Sequence, residues 1–386
     1  MPGKRIFLAF FILLPCAVNG MDIRIGVFSR SGVTSMLVKG VTGKYDVFSA
    51  GKKVFDLEDR TLLTLNLQND QIVATMAGNE IGRFRSLKFV SASKDASFRI
   101  KPLSPVLKEA IFDDNFDIFV TPKRNLLVVN DVDLDNYVAG VLESEIGMNT
   151  YTEFLKVQAI ICRTYAISNF KRHGAEGFDL CDQVHCQAYQ GKSRLNLLIS
   201  LAVSGTAGKI ITDKSMKPIV AAFHSNCGGE TYNSEDIWPS PVPYLRSVKD
   251  TFCLRGKHSL WEQRIPVSEW KSYVSSFDKV GVLRKDSAGI NFDFMPLKKD
   301  PFYIYKGVAI PVKSIRSDWK LRSPFFSIRQ DRDTLLLRGR GYGHGIGMCQ
   351  EGAMQMAALG YKFKDIINFY YKDVVLTDLE SVKFTK

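Results

Sequence analysis

The strongest constraint on the fold is a predicted helix that is apolar around most of its circumference. It is expected over residues 152–171, with Gly174 as its stop. Four apolar residues share one face of the helix: Phe154, Val157, Ile161 and Tyr165. Three more widen the apolar surface well beyond that face: Ile160, Ile167 and Phe170. A surface helix carries a single apolar stripe, so this helix should be largely buried. The rest of the chain must supply the elements that cover it.

Two carboxylates, Glu143 and Glu145, precede this helix at the end of another one. That earlier helix is expected to begin at an Asp131 or Asp133 cap and to stop near Gly147. Catalytic acids are often held on short connections fixed by a rigid element. At a helix C-terminus, Glu145 faces the negative end of the macrodipole, which favours the protonated form that a general acid needs. The alternative is that both glutamates are solvated residues at an ordinary helix end.

Arg163 lies in the middle of the apolar helix, where a guanidinium must be paired. It could form a structural ion pair with a buried carboxylate, or it could hydrogen-bond in a cleft and orient an acid or a substrate. The residues alone leave both outcomes open.

A second group of residues has the chemistry of a metal site. His173, Cys181, His185 and Cys186 would give two imidazoles and two thiolates, enough for tetrahedral zinc. The Cys-x3-His-Cys spacing is not that of a standard zinc finger. A Cys181–Cys186 disulfide or free thiols are the alternatives. Further along the chain, Cys227 could pair with Cys253.

Two polar, glycine-containing segments are candidates for substrate contacts. The first follows a predicted strand at residues 219–223, and the second is rich in glycine but lacks the Gly-Lys-Ser/Thr ending of a phosphate loop. Glycines let the backbone approach a sugar closely. A Ser/His hydrolase is disfavoured because no nucleophile elbow is present. The candidate contact residues are His224, Ser225, Asn226, Gly228, Gly229, Tyr342, His344 and Gln350.

The N-terminus and the net charge indicate an exported protein with anionic partners. Lys4 and Arg5 precede an apolar run that suits a secretory signal peptide over residues 1–20, with Cys16 as a weak lipidation site. Lys and Arg number 52 against 40 Asp and Glu, a formal charge of +12. Anionic wall polymer or acidic lipid suits such a surface. Nucleic acid is disfavoured because the basic residues are dispersed and no binding motif accompanies them. We expect a periplasmic or cell-envelope protein, either soluble or attached peripherally to the membrane.

The pattern along the chain is that of an α+β protein. Residues 21–120 alternate as β-strands, for example at 23–28 and 62–67, with turns at Gly43 and Gly51. Residues 121–386 mix helices with further strands, and final helices are expected at 348–359 and 361–371. We therefore expect helices and antiparallel sheets around a substrate cleft, with a β-rich N-terminal region.

Four segments are informative when they are taken together. They are Gly140-Val-Leu-Glu-Ser-Glu-Ile-Gly with its following helix, Cys181-Asp-Gln-Val-His-Cys-Gln-Ala-Tyr-Gln-Gly, Phe223-His-Ser-Asn-Cys-Gly-Gly-Glu-Thr, and Gly339-Arg-Gly-Tyr-Gly-His-Gly-Ile-Gly-Met-Cys-Gln-Glu-Gly-Ala. Together they resemble the SpoIID/LytB family of bacterial cell-wall proteins. They occur in the family's order over roughly residues 125–375. Ile146-Gly147 departs from the family's Met-Pro but keeps the carboxylate.

The resemblance implies a lytic transglycosylase that cleaves MurNAc–GlcNAc bonds of denuded peptidoglycan strands to 1,6-anhydroMurNAc ends. Glu145 would act as acid and then base, with Arg163 in support, and Zn²⁺ would have a structural or cleft-supporting role. The alternative within the family is a non-catalytic glycan-binding protein that enhances a cell-wall amidase. Division, sporulation and wall remodelling are all compatible with these roles, and an amidase or divisome-type proteins would be partners.

Overall fold

The computed structural model describes residues 20–93, 96–146, 150–192, 196–278 and 291–382. Most of the predicted signal peptide, Cys16 and the helix stop at Gly147 lie outside these ranges. The first part of the chain is almost entirely β-structure. Its strands are β1 (Asp22–Val27), β2 (Ser35–Thr42), β3 (Tyr45–Ser49), β4 (Lys52–Leu57), β5 (Leu62–Gln68), β6 (Gln71–Met76), β7 (Asn79–Phe84), β8 (Ser86–Ser91), β9 (Ser97–Ser104), β10 (Ala110–Asp113), β11 (Asn115–Val120) and β12 (Leu126–Asp133).

The remainder mixes helices with short strands. The helices are α1 (Leu134–Ile146), α2 (Thr152–Ser168), α3 (Leu197–Ser204), α4 (Ser234–Ile237), α5 (Val267–Ser276), α6 (Val312–Asp318), α7 (Gln350–Ala358) and α8 (Phe363–Tyr370). The strands are β13 (Leu180–Cys181), β14 (Lys209–Thr212), β15 (Phe223–His224), β16 (Leu260–Pro266), β17 (Phe302–Tyr305), β18 (Val308–Pro311), β19 (Phe326–Asp331), β20 (Thr334–Arg340), β21 (Met348–Cys349) and β22 (Val375–Asp378). Within the described ranges, no helix is long and apolar enough to cross a membrane.

The β-rich part forms two sheets that share a core with the first helices. One has the order β13-β1-β12-β11-β8-β3-β4 and the other β10-β9-β2-β5-β6-β7. Alternate residues of β2 and β11 are buried, as expected for strands with one face on a core. The predicted boundary between the β-rich region and the rest of the chain, near residue 120, falls between β11 and β12. These two strands are paired in one sheet. The expectation of an α+β fold with a β-rich N-terminal region is confirmed.

Helix α2 lies between two hydrophobic cores, as its all-round apolar surface requires. Leu155 and Cys162 belong to the core that includes the N-terminal sheets. Phe154, Val157 and Ile161 belong to the core of the C-terminal half, which also contains the three-stranded sheet β16-β20-β19. All five side chains are fully buried. The predicted burial of this helix is confirmed, and it is two-sided.

The ends of the first two helices follow from local chemistry. Asp133, one of two predicted caps, begins α1, because its Oδ1 accepts hydrogen bonds from the N–H groups of Asp135 and Asn136. The predicted end of α2 was too late. The helix stops at Ser168, and by Lys171 the backbone has a left-handed φ of 63°.

The predicted strand at residues 219–223 was wrong except at Phe223. The N–H of Val220 donates to the Tyr244 hydroxyl, and the N–H of Ala222 bonds back to the carbonyl of Val220. The N–H groups of Val220 and Ala222 are therefore used outside any strand ladder, and the strand begins only at β15, which pairs with β21.

Two-sided burial of α2 predicts that truncation on either face is costly. Leu155→Ala and Ile161→Ala should each lower the free energy of unfolding by about 2–5 kcal/mol, because each leaves a cavity in a different core. Ser168→Ala, at an exposed position on the same helix, is the control and should change it by less than about 0.5 kcal/mol. Urea unfolding measures all three. A negligible cost at either Leu155 or Ile161 would contradict the two-core arrangement.

Candidate functional site

Glu145 lies in the last turn of α1 with its carboxylate fixed by a neighbouring segment. The side chain is half-buried, and its Oε1 accepts a hydrogen bond of 3.1 Å from the backbone N–H of Ala188. One residue earlier, the Ser144 hydroxyl accepts from the N–H of Gln190 at 3.1 Å. Residues 188–190 are therefore docked along the end of this helix.

A glycine makes this docking possible. A Cβ at Gly140, one turn before Ser144, would collide with the carbonyl oxygen of Gly191 and the ring of Tyr189. Glycine is therefore required at position 140, the first residue of the Gly140-Val-Leu-Glu-Ser-Glu segment, because residues 189–191 pack closely on α1. Glu143, also half-buried, lies about 200° around the helix from Glu145 because each residue turns the helix by about 100°.

Arg163 is fully buried and its guanidinium is satisfied by structural partners. Nε and Nη2 donate to Asp135 Oδ1 at 2.9 and 2.7 Å, and Nη1 donates to the carbonyls of Thr206 and Lys209. Of the two roles that the sequence allowed for Arg163, these contacts are those of a structural ion pair. Because Asp135 is in the first turn of α1, the pair holds α1 against α2.

The structure brings together the four predicted metal ligands. One ligand atom from each of His173, Cys181, His185 and Cys186 lies within 4.8 Å of the others. Cys186 Sγ is 3.5 Å from His173 Nε2, and His185 Nδ1 is 3.8 Å from both sulfurs. With bonds of about 2.0 and 2.3 Å, nitrogen and sulfur on a tetrahedral zinc would lie roughly 3.5 Å apart. The donor set and its spacing fit zinc.

The surroundings of His173 also suit a metal ligand. Its Nδ1 lies 2.6 Å from Glu176 Oε1, which leaves Nε2 directed at the cysteines. A carboxylate on the remote nitrogen is the usual way a metal-binding imidazole is oriented. This hydrogen bond also lowers the pKa of Glu176.

The cluster is connected to Glu145 along the chain. Cys186 is two residues before Ala188, whose N–H binds the Glu145 carboxylate. Whatever fixes Cys186 also fixes that donor. Sequence spacing did not reveal this connection, since it depends on the backbone direction after the cluster.

The two polar segments meet each other. Strands β15 and β21 pair in parallel, Asn226 bridges to Tyr342, and Tyr232 bridges to Ile346. The residues taken from the two motifs therefore lie on one loop assembly, here called the loop pair (residues 223–232 and 341–350).

Several loop-pair residues point into the protein. The Asn226 amide donates to the carbonyl of Cys253 and to Glu351 Oε2. His224 is buried with Nδ1 3.0 Å from the carbonyl oxygen of Ile346, and His344 Nε2 is 3.0 Å from that of Phe223. Burial lowers the pKa of His224 well below its usual range and that of His344 to about 4. Both imidazoles are therefore neutral at neutral pH and act as structural hydrogen-bonding groups.

Other predicted residues remain available at the surface. Tyr342 is 43% exposed, and Ser225 and Gln350 are half-buried. Sequence reasoning missed His258 and Glu351, whose Nδ1 and Oε1 lie 2.6 Å apart; the same nitrogen is 3.3 Å from the Ser225 hydroxyl. Ser225 and Glu351 lie in two of the quoted segments, but nothing in the sequence links them to His258, because the members are about 30 to 125 residues apart.

Comparison with known proteins identifies the family. A family model described as Stage II sporulation protein (SpoIID) matches residues 122–212. Stage II sporulation protein D of Bacillus amyloliquefaciens is 32% identical over 296 residues, which cover 73% of this chain and 83% of that protein. The chain belongs to the SpoIID family. The Bacillus subtilis protein of the same name is 30% identical over 273 residues, or 66% of this chain and 77% of that protein.

A second kind of relative is more distant. The amidase enhancer of Bacillus subtilis is 26% identical over 288 residues, covering 62% of this chain and 40% of that protein. The SpoIID match at 122–212 contains Glu145, Arg163 and the Cys/His cluster. The loop pair lies C-terminal to it.

Gly228 makes a specific prediction about the loop pair. Its φ is 73°, and a Cβ there would lie 2.7 Å from Cβ and 2.9 Å from the carbonyl carbon of Arg340. Gly228→Ala should cost about 1–2 kcal/mol from backbone conformation and a further 1–3 kcal/mol from overpacking. Gly208→Ala, at φ 66° with nothing within 4 Å, isolates the first cost. Equal unfolding free energies for the two variants would contradict the close approach.

Proposed function

We propose that this protein is an exported peptidoglycan lytic transglycosylase in which Glu145 is the acid and then the base. The observation that carries the proposal is the placement of Glu145: a half-buried carboxyl group in the last turn of a helix, held by the Ala188 N–H. General acid–base catalysis requires a carboxyl group that is held in a fixed position beside the oxygen it protonates. Membership of the SpoIID family supports a role in the cell wall.

The reaction needs one carboxyl group. Glu145 donates its proton to the oxygen that joins MurNAc C1 to GlcNAc, and the C1–O bond breaks. The Glu145 carboxylate then takes the proton of the MurNAc 6-hydroxyl, whose oxygen forms a bond to C1. The products are a GlcNAc hydroxyl and a 1,6-anhydroMurNAc end, with Glu145 protonated again. Most glycosidases use two carboxylates, but here the sugar supplies its own nucleophile.

The surrounding residues position Glu145 rather than react. The Ala188 N–H fixes one carboxylate oxygen, and the Ser144 hydroxyl holds the N–H of Gln190 in the same segment. Arg163 is a positioning residue because its ion pair with Asp135 fixes α1 on α2. Tyr342 and Gln350 are the proposed glycan contacts on the loop pair, since both retain accessible surface.

We propose that His173, Cys181, His185 and Cys186 hold a structural Zn²⁺. The ion would cross-link residues 173–186 and thereby fix the segment that carries the Ala188 N–H. It would take no part in bond cleavage, because Glu145 supplies the proton. Six cysteines in the described residues are free thiols, Cys181 and Cys186 among them.

The alternative function is a glycan-binding protein that enhances an amidase. It is favoured by the similarity to the Bacillus subtilis amidase enhancer. Such a protein would use the same fold and loop pair without needing a proton donor. The basic surface, with formal charge +12, would suit anionic wall polymer in either role.

The proposed acid predicts a selective loss of activity. On denuded glycan strands, Glu145→Gln should lower the rate of 1,6-anhydroMurNAc formation by at least about a hundredfold, since general acid–base catalysis contributes roughly 10²–10⁴. Glycan binding should survive because the amide keeps the size of the side chain. Glu143→Gln is the matched control and should retain activity. Glycan binding by a wild-type protein that cleaves nothing, together with stimulation of an amidase, would establish the alternative.

The zinc proposal predicts a change in metal content. Cys186→Ser should carry one zinc fewer per chain than the wild type and unfold at a lower temperature. Cys162→Ser, a buried cysteine outside the cluster, should keep the wild-type zinc content. Elemental analysis of the purified proteins measures both. A Cys181–Cys186 disulfide in the wild-type protein as isolated would refute the zinc site.

A further inference from the structure

A second group of potential ligands lies beneath the loop pair. It consists of Cys227, Asp250, Cys253 and Cys349, which come from three separate parts of the chain. Their relative exposures are 2%, 0%, 0% and 0%, and their ligand atoms lie within 4.8 Å of one another. This cluster takes no part in the proposed glycan chemistry.

The distances are within about 0.5 Å of those expected for ligands around one ion. The sulfurs of Cys227 and Cys253 are 3.4 Å apart, and Cys227 Sγ is 3.3 Å from Asp250 Oδ2. Sulfurs on a tetrahedral zinc would be separated by roughly 3.8 Å for Zn–S bonds of about 2.3 Å, whereas a disulfide bond is about 2.05 Å long. We propose that these four residues form a structural site for Zn²⁺, with three thiolate ligands and one carboxylate ligand.

The groups around the cluster would stabilise anionic ligands. The sulfur of Cys349 accepts hydrogen bonds from the backbone N–H groups of Cys227 and Gly352 at 3.3 and 3.4 Å. Cys349 is also the N-cap of α7, where the helix dipole favours negative charge. Asp250 Oδ2 accepts from the Tyr370 hydroxyl at 2.9 Å, the kind of outer contact that orients a metal-binding carboxylate.

A lysine lies close enough to the cluster to balance part of its negative charge. Three thiolates and a carboxylate exceed the charge of a divalent cation, so the complex would be anionic. The Lys299 ammonium donates to the carbonyl oxygen of Cys227 at 2.9 Å. A positive charge placed there offsets part of the excess.

The bound ion would hold the loop pair together. Cys227 belongs to the first segment of the loop pair and Cys349 to the second, while Asp250 and Cys253 flank the start of a short 3₁₀ helix at Phe252–Arg255. One ion would therefore tie the second segment, which carries the proposed glycan contacts Tyr342 and Gln350, to the first segment. This role is independent of Glu145 and of the Cys/His cluster.

Zinc stoichiometry and cysteine state test the site. The full mature chain is purified with Zn²⁺, its free thiols are alkylated under denaturing conditions, and the peptides are mapped by mass spectrometry. We expect two zinc ions per chain in the wild type, one in Cys186→Ser, and one in Cys349→Ser. Cys162→Ser is the control and should retain two. Asp250→Asn, which preserves side-chain shape and lacks the carboxylate charge, should bind zinc at this site at least tenfold more weakly.

Cys349→Ser separates the ion from a disulfide, because a Cys227–Cys253 bond would not involve Cys349. A Cys227–Cys253 cross-link in the protein as isolated would overturn the proposal. So would a Cys186→Ser protein that binds no zinc while remaining folded by circular dichroism. If Cys186→Ser does not fold, Cys349→Ser and Asp250→Asn decide the matter: zinc content and affinity equal to the wild type in either variant would overturn it.

Discussion

The fold depends on the burial of α2 from both sides. Its side chains contribute to the core under the N-terminal sheets and to the core of the C-terminal half. Each buried aliphatic side chain contributes about 1.5–3 kcal/mol, so the helix joins two regions that would otherwise expose apolar faces. Arg163 is a fully buried charged residue on this helix, and its pairing with Asp135 converts a costly buried charge into the contact that fixes α1.

That constraint also fixes the position of the Glu145 carboxyl group, the proposed acid. Glu145 is the penultimate residue of α1 and lies ten positions after Asp135, which is anchored by Arg163. Because the helix is rigid, fixing its first turn also fixes the position of its last turn. The segment from Cys186 to Gln190 then clamps the last turn. The two proposed metal sites would fix connecting segments: one the segment from Cys186 to Gln190, and the other the loop pair. With those ions bound, rigid helices and cross-linked loops would together give the preorganisation that the proposed proton transfer requires.

The sequence predicted the features that depend on local pattern. Apolar periodicity located α1 and α2, alternation located β1 and β5, and residue chemistry assembled His173, Cys181, His185 and Cys186. It failed at residues 219–222, where the Tyr244 hydroxyl satisfies a backbone group that a strand would have used. It also could not foresee that Asp135 would pair with Arg163, or that Asp250 and Cys349 would meet, because such contacts depend on how distant elements pack. The inward orientation of His224 and Asn226 has the same origin.

The most direct test of the account is to run the reaction in H₂¹⁸O. Purified mature protein would be incubated with denuded glycan strands, and the new MurNAc ends would be examined by mass spectrometry. If Glu145 acts alone and the MurNAc 6-hydroxyl is the nucleophile, the ends will be 1,6-anhydroMurNAc without ¹⁸O. Reducing MurNAc ends that carry ¹⁸O at C1 would show that water is the nucleophile, which would contradict the single-carboxylate mechanism.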